Sequence, residues 1–304
     1  MKIASPKFLA GPTNSYASPT PSLTGTCCID MTCESASPPL LKRSDFVAAA
    51  RSATLDPKYF ANAELQRQAP EAFALMPEAA EFHQALDNSR ERKGLATALR
   101  EIPELANFDK LSWGEKEPLL RRVFNTECKV LGMTPPQLVI EDDVVPGPAF
   151  FDFDVENPGP GKVFLNPKAL AKIKNGFAPL LLLIHETRHS SQFQRAFVAN
   201  EEGPIADGFR AAYRAQRALS GYSFVDFTTL LNEYEAFQFA NGVVESVTDG
   251  RVDTVGMGTL AGQYDGNGKL KTDLKSMFHL MPHEEILDIF NQLEKPHYRE
   301  RSQS

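Results

Sequence analysis

At 304 residues, with 42% hydrophobic and 23% charged side chains, the chain carries enough apolar material for one large domain or two small ones. A net charge of −7 offers no broad attraction to phosphate backbones and argues against nucleic acid as a partner. The longest apolar run, Pro179–Ile184, falls far short of the ~20 residues that a membrane span requires, so none is expected.

Residues 1–41 are dominated by Ser, Thr and Pro (SPTPSLTGT, SASPPL) and contain few aromatics. Such a segment buries too little apolar surface to offset its ordering entropy, and disorder is expected. It does not read as a Sec signal peptide, because Pro6, Lys7, Gly11 and Pro12 interrupt any apolar core. Three of the four cysteines, Cys27, Cys28 and Cys33, fall here, and Cys128 lies alone; adjacent Cys27-Cys28 lacks the C-x-x-C spacing, so free thiols are expected. In composition the segment is similar to the uncleaved N-termini of bacterial type III secreted effectors. That resemblance implies an exported protein with a secretion chaperone among its partners; the competing reading is a plain tail on an intracellular protein.

From 42 onward the pattern is that of a folded domain, helical over 42–131 and mixed over 132–304. Ser44 is a suitable N-cap ahead of DFVAAARSA, and helical segments punctuated by Pro57, Pro70, Pro77 and Pro103 follow. His83 stands alone among them and reads as a surface or packing histidine. Residues 114–131 place Leu119, Leu120, Val123, Phe124 and Cys128 at helical spacing. The period then switches. Gln137–Glu141, Ala149–Val155 and Lys162–Leu165 read as short strands, with Phe151 and Phe153 alternating with Asp152 and Asp154. Asn157-Pro158-Gly159-Pro160-Gly161 predicts a turn and thus an antiparallel hairpin. Asn166-Pro167 caps a short helix, Lys168–Lys174. After a loop at 200–207, helices are expected over 208–219 and 227–244, then turns at 248–250 and 265–268, and an amphipathic helix over 283–293. The fold class is α+β: mainly helical, with a small antiparallel sheet.

Between the hairpin and the later helices lies LLLLIHETRHSSQF. His185 and His189, at i and i+4, fall on one face of a helix, where two imidazoles can converge on one Zn²⁺. Glu186 beside them can take a proton from an attacking water. No third histidine follows in H-x-x-G-x-x-H spacing, which rules out the extended metzincin pattern. A third ligand is available from Asn232-Glu233-Tyr234-Glu235-Ala236.

Here the chain resembles the gluzincin branch of zinc metallopeptidases, whose third ligand is the Glu of an E-x-x-A/S-D-like stretch on a second helix. The resemblance covers about residues 162–240. It implies a zincin-like domain, one Zn²⁺ per chain held by His185, His189 and Glu233, and Glu186 as general base in the hydrolysis of a peptide bond. Glu235 is the competing ligand; it lies about 200° round the helix from Glu233, so the two cannot both face the ion. The pattern departs at Phe237, where many members carry an Asp that supports a ligating His; Asp207 or Asp226 could replace it. HETRHSSQ also resembles the H-E-x-R-H-x-x-Q variant of bacterial zincin-like proteins, with Arg188 expected to pair with a carboxylate on the Glu233 helix.

The oxyanion formed in such a reaction needs a donor. Tyr264 and His279 are the leading candidates, among Tyr222, Tyr234 and His283. Asp265-Gly266-Asn267-Gly268 is read as a turn rather than a calcium loop, since Ser276 stands at its twelfth position. The functional expectation is a zinc endopeptidase acting on protein or peptide, secreted as an effector. The alternatives are an intracellular zincin-like protein and a non-enzymatic interaction protein with core histidines.

Overall fold

The computed structural model describes residues 63–142, 147–218 and 229–250. Outside them lie the 1–41 segment, the Ser44 helix, Cys27, Cys28, Cys33, the 265–268 turn and the 283–293 helix. So do Tyr222, Asp226, Tyr264, His279 and His283. The described part is α+β. Helices α1 (Ala63–Gln68), α2 (Ala80–Ala85), α3 (Ser89–Arg100) and α4 (Trp113–Leu131) precede strands β1 (Gln137–Ile140), β2 (Ala149–Asp152) and β3 (Lys162–Leu165). Helices α5 (Pro167–Leu170), α6 (Ala178–Phe193), α7 (Pro204–Ala218) and α8 (Leu231–Val247) follow.

Local chemistry sets these boundaries. A capping box starts α4, in which the Ser112 backbone N–H and hydroxyl both donate to Glu115 Oε2, at 2.8 and 2.6 Å. Its apolar residues Leu119, Leu120, Val123, Phe124 and Cys128 are all buried, as their spacing requires. The Asn166 side chain accepts from Ala169 N at 3.0 Å and starts α5, which ends at Leu170, earlier than the pattern suggests. His83 is a packing histidine: it is buried, with Nε2 2.8 Å from Ala74 O.

The sheet differs from the expected antiparallel one. Its order is β1-β3-β2; β2 and β3 form the predicted antiparallel hairpin, but β1 pairs with β3 in parallel. The chain reverses once between β1 and β2 and again at the hairpin, so β3 runs in the direction of β1, and β3, with Val163 and Leu165 buried, takes the centre. Pairing between strands far apart in sequence leaves no local signal. The hairpin closes through Gly161 at φ 74°, where a Cβ would come within 2.5 Å of the Phe151 ring and 2.6 Å of Asp152 O.

Helix α6 is the centre of the molecule. It packs against α8 and α4 and carries β2 and β3 on another side. An apolar face with a polar opposite is the expectation, yet every residue from Ala178 to Phe193 except Leu182 is buried. Its polar half must therefore find its partners inside the protein. Ser190 Oγ donates to Pro160 O at 2.7 Å, and Gln194 Nε2 donates to Thr134 O at 2.7 Å. These bonds tie the entrances of β3 and β1 to the metal-motif helix. The other end of the arrangement is fixed by the approach to α8, where Ala74 N donates to Thr229 O at 2.7 Å and Phe73 bridges Leu230.

Candidate metal centre

One helical turn on α6 brings His185 Nε2 and His189 Nε2 to 3.0 Å from each other. Glu233 reaches both from the first turn of α8: its Oε2 lies 3.2 Å from His185 Nε2 and its Oε1 3.3 Å from His189 Nε2. All three side chains are buried. The histidines therefore meet a carboxylate, and it is Glu233; Glu235 points elsewhere.

A Zn²⁺ with bonds of about 2.0–2.1 Å in tetrahedral geometry separates its ligand atoms by roughly 3.3 Å. The two imidazole nitrogens, 3.0 Å apart, are near that spacing, and each meets a different oxygen of Glu233, at 3.2 and 3.3 Å. Glu233 Oε2, though 3.2 Å from His185 Nε2, is buried and completes no hydrogen bond among the described residues, a lone pair that a cation could take. The donor set fits a zinc ion. Glu186, also buried, brings a carboxylate oxygen within 4.8 Å of ligand atoms of both histidines. Glu233 contacts both imidazoles, and Glu186 lies with them in a buried group that could hold a metal ion.

Compared with protein-family models, with curated proteins and with solved structures, the chain matches none of them. The functional reading therefore rests on this geometry.

Around the triangle lies a buried polar network. His189 Nδ1 is 3.0 Å from Gln192 Oε1, and with Nδ1 carrying the proton, Nε2 is left for a metal. The Gln192 amide is held the other way round by its own donations, 2.9 Å to Asn232 O and 2.6 Å to Glu235 Oε2. Glu235 also receives Arg188 Nε at 3.0 Å, Arg188 Nη2 at 2.8 Å and Asn88 Nδ2 at 2.5 Å. Arg188 reaches Glu91 Oε2 at 2.8 Å, and its guanidinium lies 4.3 Å from the centre of the Phe239 ring. Arg188 thus pairs with a carboxylate of the Glu233 helix and locks α6 to α8, as expected. Tyr213 OH lies 2.9 Å from His189 O and 3.0 Å from Gln192 Oε1.

Support for His189 comes from Gln192, not from Asp207. Asp207 faces solvent and pairs with Arg210 at 3.4 Å, far from this role. Gln192 is what orients His189. Phe237, at the position of the usual Asp, lays its ring 3.8 Å from that of His185, whose Nδ1 is buried without a partner. Tyr213, Asn88 and Glu91 carry no sequence signal, since each sits in an ordinary amphipathic helix or its cap. Gln192 did carry one, the final position of HETRHSSQ. Replacing it with leucine is expected to lower zinc affinity about 10–100-fold while the fold is kept, measured by competition with a chromophoric chelator.

Electrostatics follow from burial and from the contacts. Burial disfavours the charged forms of His189 and Glu233, but their mutual attraction more than offsets it: His189 is held up at about 9 and Glu233 down at about 2. His185, buried beside the His189 charge, falls to about 4. Burial lifts Glu186 to about 8, against the His189 charge and a Phe151 backbone N–H that lower it. A cation among the ligands would pull Glu186 down. In metal-free protein the His189 contribution to stability is complete below about 6.5 and is lost as pH rises through about 9. Glu186, protonated in the fold, acts in the same direction from about 4.5 to about 8. Urea midpoints measured in chelator are therefore expected to fall from pH 6.5 to pH 9, and His189→Gln to flatten that fall.

Proposed function

We propose that the protein is a zinc-dependent peptidase, and the observation that carries this reading is the triangle of His185, His189 and Glu233 with Glu186 beside it. His185, His189 and Glu233 would hold the ion. When bound, it supplies a Lewis acid that acidifies water and polarises a carbonyl. Glu186 accepts the proton from the attacking water and delivers it to the leaving amine. Gln192 and Tyr213 keep His189 in position through both steps. Strand β2 is an edge of the sheet among the described residues, and it packs on α6. Its Phe151 backbone N–H acts on Glu186 to lower that carboxyl, so an extended peptide added to this edge would pass beside the general base.

Peptide hydrolysis by purified protein is the test. Activity should stop in chelator and return on adding one equivalent of zinc. Hydrolysis that ignores the chelator, or a zinc-loaded protein that cuts nothing in an unbiased peptide mixture, contradicts the proposal.

A further inference from the structure

Away from the metal centre, α3 and α8 enclose a groove of about 240 Å³ lined by Ser89, Arg92, Lys93, Thr97, Arg100 and Gly242. At ~30 Å³ per water this is space for about eight waters, or one polyatomic anion with part of its shell. Three cations converge here in a chain whose net charge is −7.

The nearby acids are committed. Arg100 Nη2 donates to Ser246 O at 2.6 Å and meets Asp249 Oδ1 at 3.3 Å. Asp87 accepts from the Ser89 hydroxyl at 2.6 Å and its N–H at 3.0 Å. Arg92 has no such partner among the described residues: its Nε is buried without an acceptor. The backbone of α8 makes room for this guanidinium at Gly242, where a Cβ would stand 2.7 Å from Arg92 Nη1 and 3.3 Å from its Cδ. A half-buried guanidinium, seated over a glycine and with no carboxylate on it among the described residues, is a donor set awaiting an acceptor.

We propose that this groove is a binding site for a phosphate-type oxyanion, with Arg92 as its main donor and Lys93 and Arg100 completing the charge. A guanidinium matches the oxygen spacing of phosphate, and Arg92 with Lys93, beside an Arg100 that already meets Asp249, favours a doubly charged oxyanion over a singly charged carboxylate. The site is independent of the zinc reading.

Isothermal titration of the full chain with inorganic phosphate, pyrophosphate and acetate tests it. Saturable binding of phosphate or pyrophosphate is expected, with acetate at least about tenfold weaker. Arg92→Gln and Lys93→Gln should each weaken binding, the first by about tenfold or more. Arg92→Gln is the decisive variant. Gly242→Ala removes no charge and asks only the flexible end of Arg92 to shift, so it should weaken binding less than Arg92→Gln. Lys93 is exposed, so its variant keeps the test open if Arg92→Gln fails to fold. Absence of saturable binding, acetate as tight as phosphate, or indifference to Arg92→Gln would overturn the proposal. Binding that disappears in His185→Ala would place the anion at the metal centre and overturn it as well.

Discussion

Arg188→Ala is expected to cost about 3–5 kcal/mol of stability, enough to unfold a large fraction of a domain held by about 5–15 kcal/mol. The reason is what the change leaves behind. Glu235 is fully buried, and burial alone would raise its carboxyl; Arg188 is the main influence that holds it low, ahead of Asn88 and Gln192. Without the guanidinium a buried carboxylate must either stay ionised with two amide donors or take up a proton and release them. Both outcomes loosen Gln192 and, through it, His189. The outer end of the same chain of contacts is different. Glu91 is 34% exposed at its side chain, so Glu91→Gln should cost under about 1 kcal/mol although it touches the same guanidinium. Pairing Arg188→Met with Glu235→Leu should recover most of the loss, since no charge is then stranded. Urea unfolding of the four proteins checks this. A small effect for Arg188→Ala would mean that the network is not the lock between α6 and α8.

Glu186→Gln should lower peptidase activity by about 10²–10⁴-fold, which corresponds to roughly 3–5.5 kcal/mol of transition-state stabilisation. Zinc content should be unchanged, because the atoms that touch one another at the centre belong to His185, His189 and Glu233. The amide keeps the size of the carboxylate, but it cannot accept the proton. His185→Ala differs in kind: it should lose metal and activity together. Cleavage of casein followed beside metal analysis separates the two patterns. Glu186→Gln protein that retains full activity would remove Glu186 from the reaction.

Much of this arrangement was legible in the chain. The H-E-x-x-H spacing fixes two imidazoles on one face wherever the helix goes, and the 200° between Glu233 and Glu235 forces them into different roles. The structure divides them in that way, one toward the histidines and one toward Arg188. Turn chemistry at Asn157–Gly161 announced the β2–β3 hairpin, and the apolar spacing of 114–131 announced α4. What escaped was non-local. The parallel partner of β1 depends on which strand is central, and the complete burial of α6 depends on α4, α8 and the sheet closing round it. The orienting role of Gln192 depends on Glu235 and Asn232 turning its amide. The Phe237 ring fills the place of an expected carboxylate, a substitution whose consequence appears only when the ring is seen against His185.

Zinc binding at equilibrium, measured on the purified chain beside Glu233→Ala, tests the central claim most directly. The expected result is one zinc per chain, with affinity reduced by at least about a hundredfold once the carboxylate between His185 and His189 is gone. A chain that takes up no zinc, or a Glu233→Ala variant that binds it as tightly as the parent, would contradict the account.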